Sequence, residues 1–314
     1  MNRVPTGVVD RAVEAWLHAH ATGGPVTLAV SGGPDSLALA LAVAGLGRAG
    51  RSITVDHGLQ DGSVDQAAAT AAVMRGLGFD AAVVRVDVAG PGGLEAAARR
   101  ARYAALAEHA EGPVLLGHTM DDQAETVLLG LGRGSGPRSI AGMQAWAPPW
   151  GRPLLGVRRS DTVAACAVAD LTPWDDPHNV DPGFTRVRLR HEVLPLLDEV
   201  LGGGVVPALS RTAELLADDL AALDALAADA LDDACVDGLV RSRVLRGWPA
   251  AVRRRALRSW ATGTGAAPLT SEHLHRLDDL VTAGREGAAV RLPGAIDAVL
   301  DNGRLVGRPV DRPG

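Results

Sequence analysis

A short run of glycines and hydroxyl residues stands where an apolar segment passes into a predicted helix. The run is Ser31-Gly32-Gly33-Pro34-Asp35-Ser36, between residues 26–30 and the helix formers of 36–46. Glycines let backbone N–H groups approach a phosphate closely, and the N-terminus of the following helix adds partial positive charge. An ordinary Gly-Gly turn with a Ser or Asp helix cap fits the same residues. The run alone therefore favours phosphate binding only by a small margin.

Asp35 is the unexpected member of this run. A carboxylate next to phosphates is repelled unless Mg²⁺ or a substrate amine lies between them. The run also contains no lysine, so it differs from the G-x-x-x-x-G-K-[ST] loop of many nucleotide-binding proteins. Asp35 is thus a candidate metal ligand and a candidate partner for an amine.

A second group of chemically active residues follows the apolar segment at 114–117. His118, Asp121 and Asp122 come directly after it, and their types suit contacts with a nucleotide, its metal or its reaction partner. Helix capping explains the acids equally well but does not explain the histidine. We therefore expect a functional role here. His57 follows another apolar segment, and its position leaves a functional and a plain surface role equally open.

Apolar runs and Ala-rich helical stretches alternate along the first 130 residues. Crossovers of this length between strands predict an α/β fold with a parallel twisted sheet and helices on both faces. Ligands of such sheets bind at the carboxyl ends of the strands, where the run at 31–36 falls. The predicted strands are 26–30, 52–55, 82–86 and 114–116, and the predicted helices are 36–46, 63–77 and 93–110.

The pattern changes after residue 145. Proline, tryptophan and glycine mark loops over 145–185, around a short helix near 160–169. A basic helix is predicted at 184–198, and three glycines at 202–204 indicate a domain boundary. We therefore expect two domains, residues 1–200 and a mainly helical 205–314. Further helices are predicted at 207–236, 249–261 and 270–283, with short strands at 288–292, 298–300 and 304–306.

Composition sets broad limits. Hydrophobic residues make up 47% and charged residues 22% of the 314 positions, which is typical of a globular protein. The net charge of −6 gives no overall sign of nucleic-acid binding, although all 31 basic residues are arginine. No apolar run is long enough to cross a membrane, so we expect a soluble cytoplasmic protein. Cys166 and Cys235 lack the spacing of a disulfide framework or a metal site.

The run at 31–36 matches the S-G-G-x-D-S signature of the PP-loop ATP pyrophosphatases. Within that superfamily the chain resembles the tRNA(Ile)-lysidine synthase family, in a short form without the additional carboxyl-terminal domain of longer members. Three further blocks in family order carry the resemblance, which extends from residue 31 to about 197. They are Asp56–Leu59 with Glu95–Tyr103; Gly117–Leu129 continuing to Arg133-Gly134-Ser135-Gly136; and Arg152–Leu155 with Trp174–Asn179 and Phe184–His191.

The resemblance implies an ATP-dependent ligase that forms a C–N bond. Such an enzyme joins free lysine to C2 of the wobble cytidine, position 34, of the isoleucine tRNA with a CAU anticodon. The reaction passes through an adenylated cytidine and releases AMP and pyrophosphate. The implied cofactors are ATP as co-substrate and Mg²⁺, and the implied partners are this tRNA and lysine. A homodimer is compatible with the sequence, and residues 205–314 would be a tRNA-binding accessory domain.

The resemblance also assigns roles to individual residues. Asp35 is expected to accept a proton from the lysine amine and, alternatively, to bind the metal. The catalytic candidates are Asp35, His118 and Arg190. The ATP-binding candidates are Ser31, Gly32, Gly33, Pro34, Asp35, Ser36, His57 and Asp121. The tRNA-binding candidates are Arg99, Arg102, Arg133, Arg186, Arg188, Arg190 and His191.

Plainer interpretations stay open for several of these residues. A solvated helix face accounts for Arg99 and Arg102, and it equally accounts for the arginines at 253–255 and 258, which would otherwise track RNA phosphates. Tryptophans 146, 150 and 174 either stack on an RNA base or pack as loop anchors. Two other functions also stay open. One is another PP-loop tRNA-modifying enzyme, such as a thiolase that needs catalytic cysteines, and the other is a non-catalytic ATP-sensing regulator.

Overall fold

The computed structural model describes residues 7–21, 23–60, 62–91, 93–134 and 136–310. Ser135 of the predicted glycine-rich loop lies outside these residues. The chain forms two compact units, one extending to Leu216 and the other beginning at Ala217. The two predicted domain ranges, 1–200 and 205–314, stay predictions about where the catalytic and accessory functions divide.

The first unit contains a six-stranded sheet in the order β3-β2-β1-β4-β6-β5. Every neighbouring pair in it is parallel except β5 with β6, which confirms the predicted α/β class. The strands are β1 (Thr27–Ala29), β2 (Arg51–Asp56), β3 (Asp80–Arg85), β4 (Val114–Leu116), β5 (Trp146–Ala147) and β6 (Trp150–Gly151). The helices that come before β5 in the sequence are α1 (Val8–His20), α2 (Pro34–Gly45), α3 (Ser63–Gly76), α4 (Gly93–His109), α5 (Met120–Gly132) and α6 (Pro137–Ile140).

Helices cover both faces of this sheet because the central strands are apolar on both sides. Side chains alternate between the faces along a strand, so Leu28 and Leu115 pack in one cluster with α1 and α2. Val114 and Leu116 pack in the other cluster, with Leu106 of α4. Burial on both faces explains why these strands read as continuous apolar runs.

Two local features differ from the sequence prediction. The segment predicted as a loop near residue 147 contains the antiparallel hairpin β5–β6, whose strands are only two residues long and so carry no alternating pattern. The predicted basic helix at 184–198 is helical, but it contains one π-helical turn, Leu189–Val193. That turn separates α8 (Thr185–Arg188) from α9 (Leu194–Val200). The preceding α-helix in the chain is α7 (Arg159–Val168).

The second unit combines helices with a five-stranded antiparallel sheet in the order β7-β8-β11-β10-β9. Helices contribute most of its regular structure, as predicted, but only the last three strands were expected. Its core includes Leu245, Leu257, Leu277 and Leu305, which are fully buried. The elements are the end of α10 (Val205–Ala234), α11 (Ser242–Arg246), α12 (Ala250–Gly263), α13 (Ser271–Ala283), β7 (Cys235–Val236), β8 (Leu239–Arg241), β9 (Ala289–Leu292), β10 (Ile296–Asp301) and β11 (Arg304–Pro309).

Among the described residues, no single helix has the length and apolar character needed to cross a membrane. One pair of helical segments, Thr185–Val200 and Val205–Ala234, meets at a 95° bend and satisfies those two criteria jointly, by length and composition alone.

Candidate active site

A cavity of about 680 Å³ opens at the carboxyl ends of β1, β2 and β4. The sheet order changes direction between β1 and β4, and ligands of open α/β sheets bind at such a point. The loop after β1, His57 after β2 and His118 after β4 all line the cavity, as the strand pattern predicted. Trp174, Asn179 and the π-helical turn contribute further lining residues.

The 31–36 loop is closed by its own hydroxyl groups. The Ser31 N–H donates to Ser36 Oγ at 3.3 Å, and Ser36 Oγ donates to the Gly33 carbonyl at 2.9 Å. Gly33 is the N-cap of α2, and Pro34 occupies the first helical position, where a missing N–H costs nothing. Gly32 has φ of +86°, and a Cβ there would lie 2.5 Å from a Thr70 oxygen, so only glycine fits. The loop thus places the N-terminus of α2 at the cavity.

Gly117, which follows β4, packs directly against this loop. A Cβ at Gly117 would lie 2.9 Å from Ser36 N and 3.0 Å from the Asp35 carbonyl carbon and oxygen. Gly117→Ala would therefore force the loop backbone to shift, at about 1–3 kcal/mol. We expect the KM for ATP to rise about 5- to 100-fold, measured by initial rates of pyrophosphate release.

Gly156→Ala is the matched control for this change, since nothing lies within 4 Å of a Cβ built there. Its KM for ATP should equal that of the wild type. An unchanged KM in Gly117→Ala would show that the contact between Gly117 and the loop does not shape the nucleotide site.

Asp35, in the first turn of α2, is held at both carboxylate oxygens by α7. Thr162 Oγ1 lies 2.5 Å from Oδ1, and Arg159 Nε lies 3.1 Å from Oδ2. Burial raises the pKa of Asp35 above its ordinary value, although Arg159 and Thr162 each act to lower it. Sequence reasoning missed Arg159 and Thr162. The only signal was their position just after the block Arg152–Leu155 that carries the resemblance.

Asp122 occupies the third position of α5 and joins the same network. Its Oδ2 accepts the Thr119 N–H at 2.8 Å, which completes a capping box with Thr119 as N-cap. Its Oδ1 lies 2.8 Å from Arg159 Nη2 and 3.4 Å from Arg190 Nη2. Burial pushes the pKa of Asp122 upward, but Arg159 and the hydrogen bonds from Thr119 outweigh it, so the pKa lies below its ordinary value.

Glu125, one turn further along α5, is completely buried, with 0% of its side chain exposed. Arg190 Nε donates to its Oε1 at 2.7 Å, and Arg186 Nη1 lies 3.4 Å from its Oε2. Burial raises the pKa of Glu125 despite its bond to Arg190. The three acids and Arg159 with Arg190 therefore form one carboxylate–arginine network, defined as Asp35, Asp122, Glu125, Arg159 and Arg190.

His57, His118 and Arg102 line the cavity with unused polar atoms. Nδ1 of each histidine and Nε of Arg102 are buried and have no hydrogen-bond partner among the residues that the structure describes. Burial lowers the pKa of His57, and it lowers the pKa of His118 to about 3, so His118 is neutral at physiological pH. Buried polar atoms without partners are rare in folded proteins. These atoms therefore suit a polar ligand in the cavity.

The structure brings most, but not all, of the predicted site residues to the cavity. The predicted residues that line it are Ser31, Gly33, Pro34, Asp35, Ser36, His57, Arg102, His118, Arg190 and His191. The predicted residues that do not line it are Gly32, Arg99, Asp121, Arg133, Arg186 and Arg188.

Asp121 differs most clearly from its predicted role. Its carboxylate accepts from Arg158 Nε at 3.2 Å, Arg158 Nη2 at 3.0 Å and the Arg159 N–H at 2.8 Å. It therefore fixes the start of α7 and does not face the cavity. Successive residues of a helix point about 100° apart, so Asp122 faces the cavity in its place.

Several predicted RNA-binding arginines have partners within the protein. Arg188 pairs with Glu192 at 2.8 Å on the exposed surface. In the second unit, Arg253 and Arg254 both pair with the buried Asp278, so this cluster includes structural ion pairs and is not simply a free basic face. Arg99 contacts the ring of Tyr103 at 4.8 Å.

The tryptophans also divide between packing and the cavity. Trp146 packs edge-on against Trp16 at 5.4 Å, and Trp150 packs against Tyr103 at 4.6 Å. These two are anchors, the plainer of the interpretations open to them. Trp174 lines the cavity, and its backbone N–H donates to the Gly32 carbonyl at 2.9 Å.

No group of three or more metal-binding side chains occurs among the described residues. Both oxygens of Asp35 are already engaged by Thr162 and Arg159. The donor set therefore does not suit a metal held by the protein alone, and the assignment of Asp35 as a metal ligand stays a prediction that this geometry does not favour.

Comparison with known proteins identifies the class of the fold. A PP-loop domain profile matches residues 8–197, and a TilS substrate binding domain profile matches residues 240–306. A solved structure, the U34-tRNA thiolase NcsA from Methanococcus maripaludis with its [4Fe-4S] cluster, shares the fold at a TM-score of 0.53 and 18% identity, covering 66% of this chain and 78% of that one. The chain is thus an ATP-using enzyme of the PP-loop class.

Curated relatives identify the family of the chain within the PP-loop class. The tRNA(Ile)-lysidine synthase of Nocardia farcinica is 54% identical and covers 95% of this chain and 96% of its own length. The enzymes of that name from Mycolicibacterium paratuberculosis and Rhodococcus jostii are 56% and 55% identical, covering 92% and 91% of this chain and 92% and 89% of their own lengths. The chain belongs to the tRNA(Ile)-lysidine synthase family.

Proposed function

We propose that the protein ligates free lysine to C2 of the wobble cytidine of the isoleucine tRNA with a CAU anticodon, using ATP. The observation that carries the proposal is a single cavity that joins a phosphate-binding loop to the carboxylate–arginine network. Family membership supports the same reaction. A cytoplasmic location would follow from the tRNA substrate.

The first step activates the cytidine. ATP would place its phosphates at the 31–36 loop, where the N-terminus of α2 and the hydroxyl of Ser31 supply donors. The cytidine C2 oxygen attacks the α-phosphorus, the bond to the β-phosphate breaks, and pyrophosphate leaves. Neutral His118, with its unused Nδ1, is suited to hydrogen-bond the reacting groups.

The second step joins lysine to the activated base. An amine with a pKa of about 10.4 is protonated at neutral pH, so it must lose a proton before it attacks. Asp35 accepts that proton, the neutral amine bonds to C2, and AMP leaves with the C2 oxygen. The raised pKa of Asp35 suits proton uptake. Asp122 lines the cavity and supplies negative charge near the positive amine, and Glu125 holds Arg190 at the cavity through their 2.7 Å contact.

The tRNA must present an unstacked anticodon base to this cavity. Bases of RNA loops can be splayed out and held by an aromatic ring, and Trp174 at the cavity suits that contact. Arg102 and His191 also line the cavity, whereas Arg99, Arg133, Arg186 and Arg188 would bind tRNA only outside it. Residues 205–314 would supply further tRNA contacts.

The proposal also covers the metal ion that accompanies ATP and the oligomeric state of the protein. Mg²⁺ would arrive on the ATP phosphates, because proteins commonly bind it through substrate phosphates with few side chains of their own. A homodimer remains compatible with the sequence, and light scattering at several concentrations would test it.

The alternative functions are not favoured. Cys166 is buried against the 31–36 loop, where its Sγ lies 3.4 Å from the Pro34 carbonyl. Burial raises the pKa of this thiol to about 11, which suits neither a nucleophile nor a metal ligand.

Incubation with ATP, lysine and unmodified isoleucine tRNA tests the proposal. We expect AMP formation that requires both lysine and the tRNA, and a mass increase of one lysine minus one water at the wobble nucleoside. A methionine tRNA with the same CAU anticodon is the control. AMP formation that is independent of lysine would contradict the proposal.

A further inference from the structure

Thr162 lies next to Asp35, the proposed proton acceptor, and family membership alone assigns it no role. It lies on α7 and is fully buried, with 0% exposed. Its Oγ1 is 2.5 Å from Asp35 Oδ1 and 2.8 Å from the Arg159 carbonyl oxygen. A hydroxyl group has one hydrogen, so it can donate to only one of these two acceptors at a time.

The two arrangements correspond to the two protonation states of Asp35. When Asp35 is ionised, Thr162 donates its hydrogen to the carboxylate. When Asp35 carries a proton on Oδ1, that proton is donated to Thr162 Oγ1, and the Thr162 hydrogen turns to the Arg159 carbonyl. Each state then has a complete hydrogen bond between the two side chains, and neither requires movement of a heavy atom.

We propose that Thr162 is a positioning residue that aims the Asp35 carboxylate at the cavity and satisfies it both before and after it takes a proton from the lysine amine. The inference rests on the proposed function. Arg159 holds the other oxygen of Asp35 by charge and cannot accept a hydrogen bond. Thr162 is therefore the partner of Asp35 able to reverse its hydrogen bond.

The charged groups around Asp35 set the expected pH response. Arg159 from α7 and Arg190 from the π-helical turn lower its pKa, whereas Asp122 from α5 raises it. The bond from Thr162 also lowers the pKa, because it stabilises the ionised form. Loss of the hydroxyl must therefore raise the pKa of Asp35 and move the acid limb of activity to higher pH.

Thr162→Val and Thr162→Ser test this role, because valine keeps the shape and loses the hydroxyl while serine keeps the hydroxyl. We expect Thr162→Val to lower kcat for lysine-dependent AMP formation roughly tenfold or more, with the KM for ATP unchanged. Its acid limb should move to higher pH. Thr162→Ser should recover most of the rate and the wild-type pH profile.

Thr172→Val is the matched control, since Thr172 is an exposed threonine of the first unit that does not line the cavity. It should behave as the wild type. If the Thr162→Val enzyme kept the wild-type kcat and pH profile, this inference would be overturned while the proposed function would stand. The same would follow if Thr162→Val were slow and Thr162→Ser were equally slow. A wild-type protein without lysine-dependent AMP formation would overturn the proposed function and this inference together. If Thr162→Val fails to fold, Thr162→Ser decides the matter through its pH profile, which must match that of the wild type.

Discussion

Asp35→Asn is expected to abolish lysidine formation, lowering kcat by about 10²- to 10⁴-fold, because the amide cannot accept a proton from the lysine ammonium. The change keeps the shape of the side chain and its contact with Thr162. ATP and tRNA binding should therefore persist. Single-turnover assays of AMP formation would measure the loss, and filter binding would measure tRNA affinity.

Asp65→Asn provides a matched control for that experiment. Asp65 also occupies the first turn of a helix, α3, but it is exposed and does not line the cavity. Its substitution should leave kcat unchanged. The proposed role of Asp35 would be refuted if Asp35→Asn formed AMP at the wild-type rate in the presence of lysine.

The sheet and the position of the cavity could be predicted because strong local patterns encode them. Apolar runs of three to five residues separated by helical stretches predicted β1 to β4, and parallel strands place their carboxyl ends at one edge. The loop, His57 and His118 follow directly from this rule. The hairpin β5–β6 could not be predicted in the same way, since two-residue strands have no periodicity.

The carboxylate–arginine network was much harder to predict than the sheet. Arg159 and Thr162 reach Asp35 across more than 120 positions of sequence, and only tertiary packing brings them together. The choice between Asp121 and Asp122 depended on the exact register of α5, which the Thr119 capping box sets. The π-helical turn likewise alters which side chains of the basic segment face inward, and it brings both Arg190 and His191 to the cavity.

Arg190 is the second position at which substitution should have a large effect, because it neutralises a buried carboxylate. Arg190→Met would remove the 2.7 Å contact to Glu125, whose side chain is 0% exposed, and leave the longer 3.4 Å contact from Arg186. Breaking a buried ion pair on one side typically costs about 3–5 kcal/mol. We expect a loss of this size in the free energy of unfolding, measured by urea titration with tryptophan fluorescence.

A second substitution separates this structural role from the predicted catalytic one. The double variant Arg190→Met, Glu125→Gln has no carboxylate at position 125, so at least half of the lost unfolding free energy should return. Activity should not return, because Arg190 also lines the cavity. Recovery of AMP formation in the double variant would show that Arg190 acts only through the fold.

Arg188→Met is the control for this pair, since Arg188 and Glu192 form an ion pair in which 59% and 50% of the side chains are exposed. Exposed pairs contribute about 0–1 kcal/mol, so the control should unfold almost as the wild type does.

The pH dependence of the Arg190→Met defect provides the sharpest check. Burial already holds the pKa of Glu125 above its ordinary value, and loss of Arg190 must raise it further. An acid with a raised pKa in the folded state favours folding at low pH and loses that contribution as the pH rises through the raised value. The difference in unfolding free energy between wild type and Arg190→Met should therefore be larger at pH 7 than at pH 5. A difference that stays constant over this range would mean that Glu125 is not the group that Arg190 neutralises.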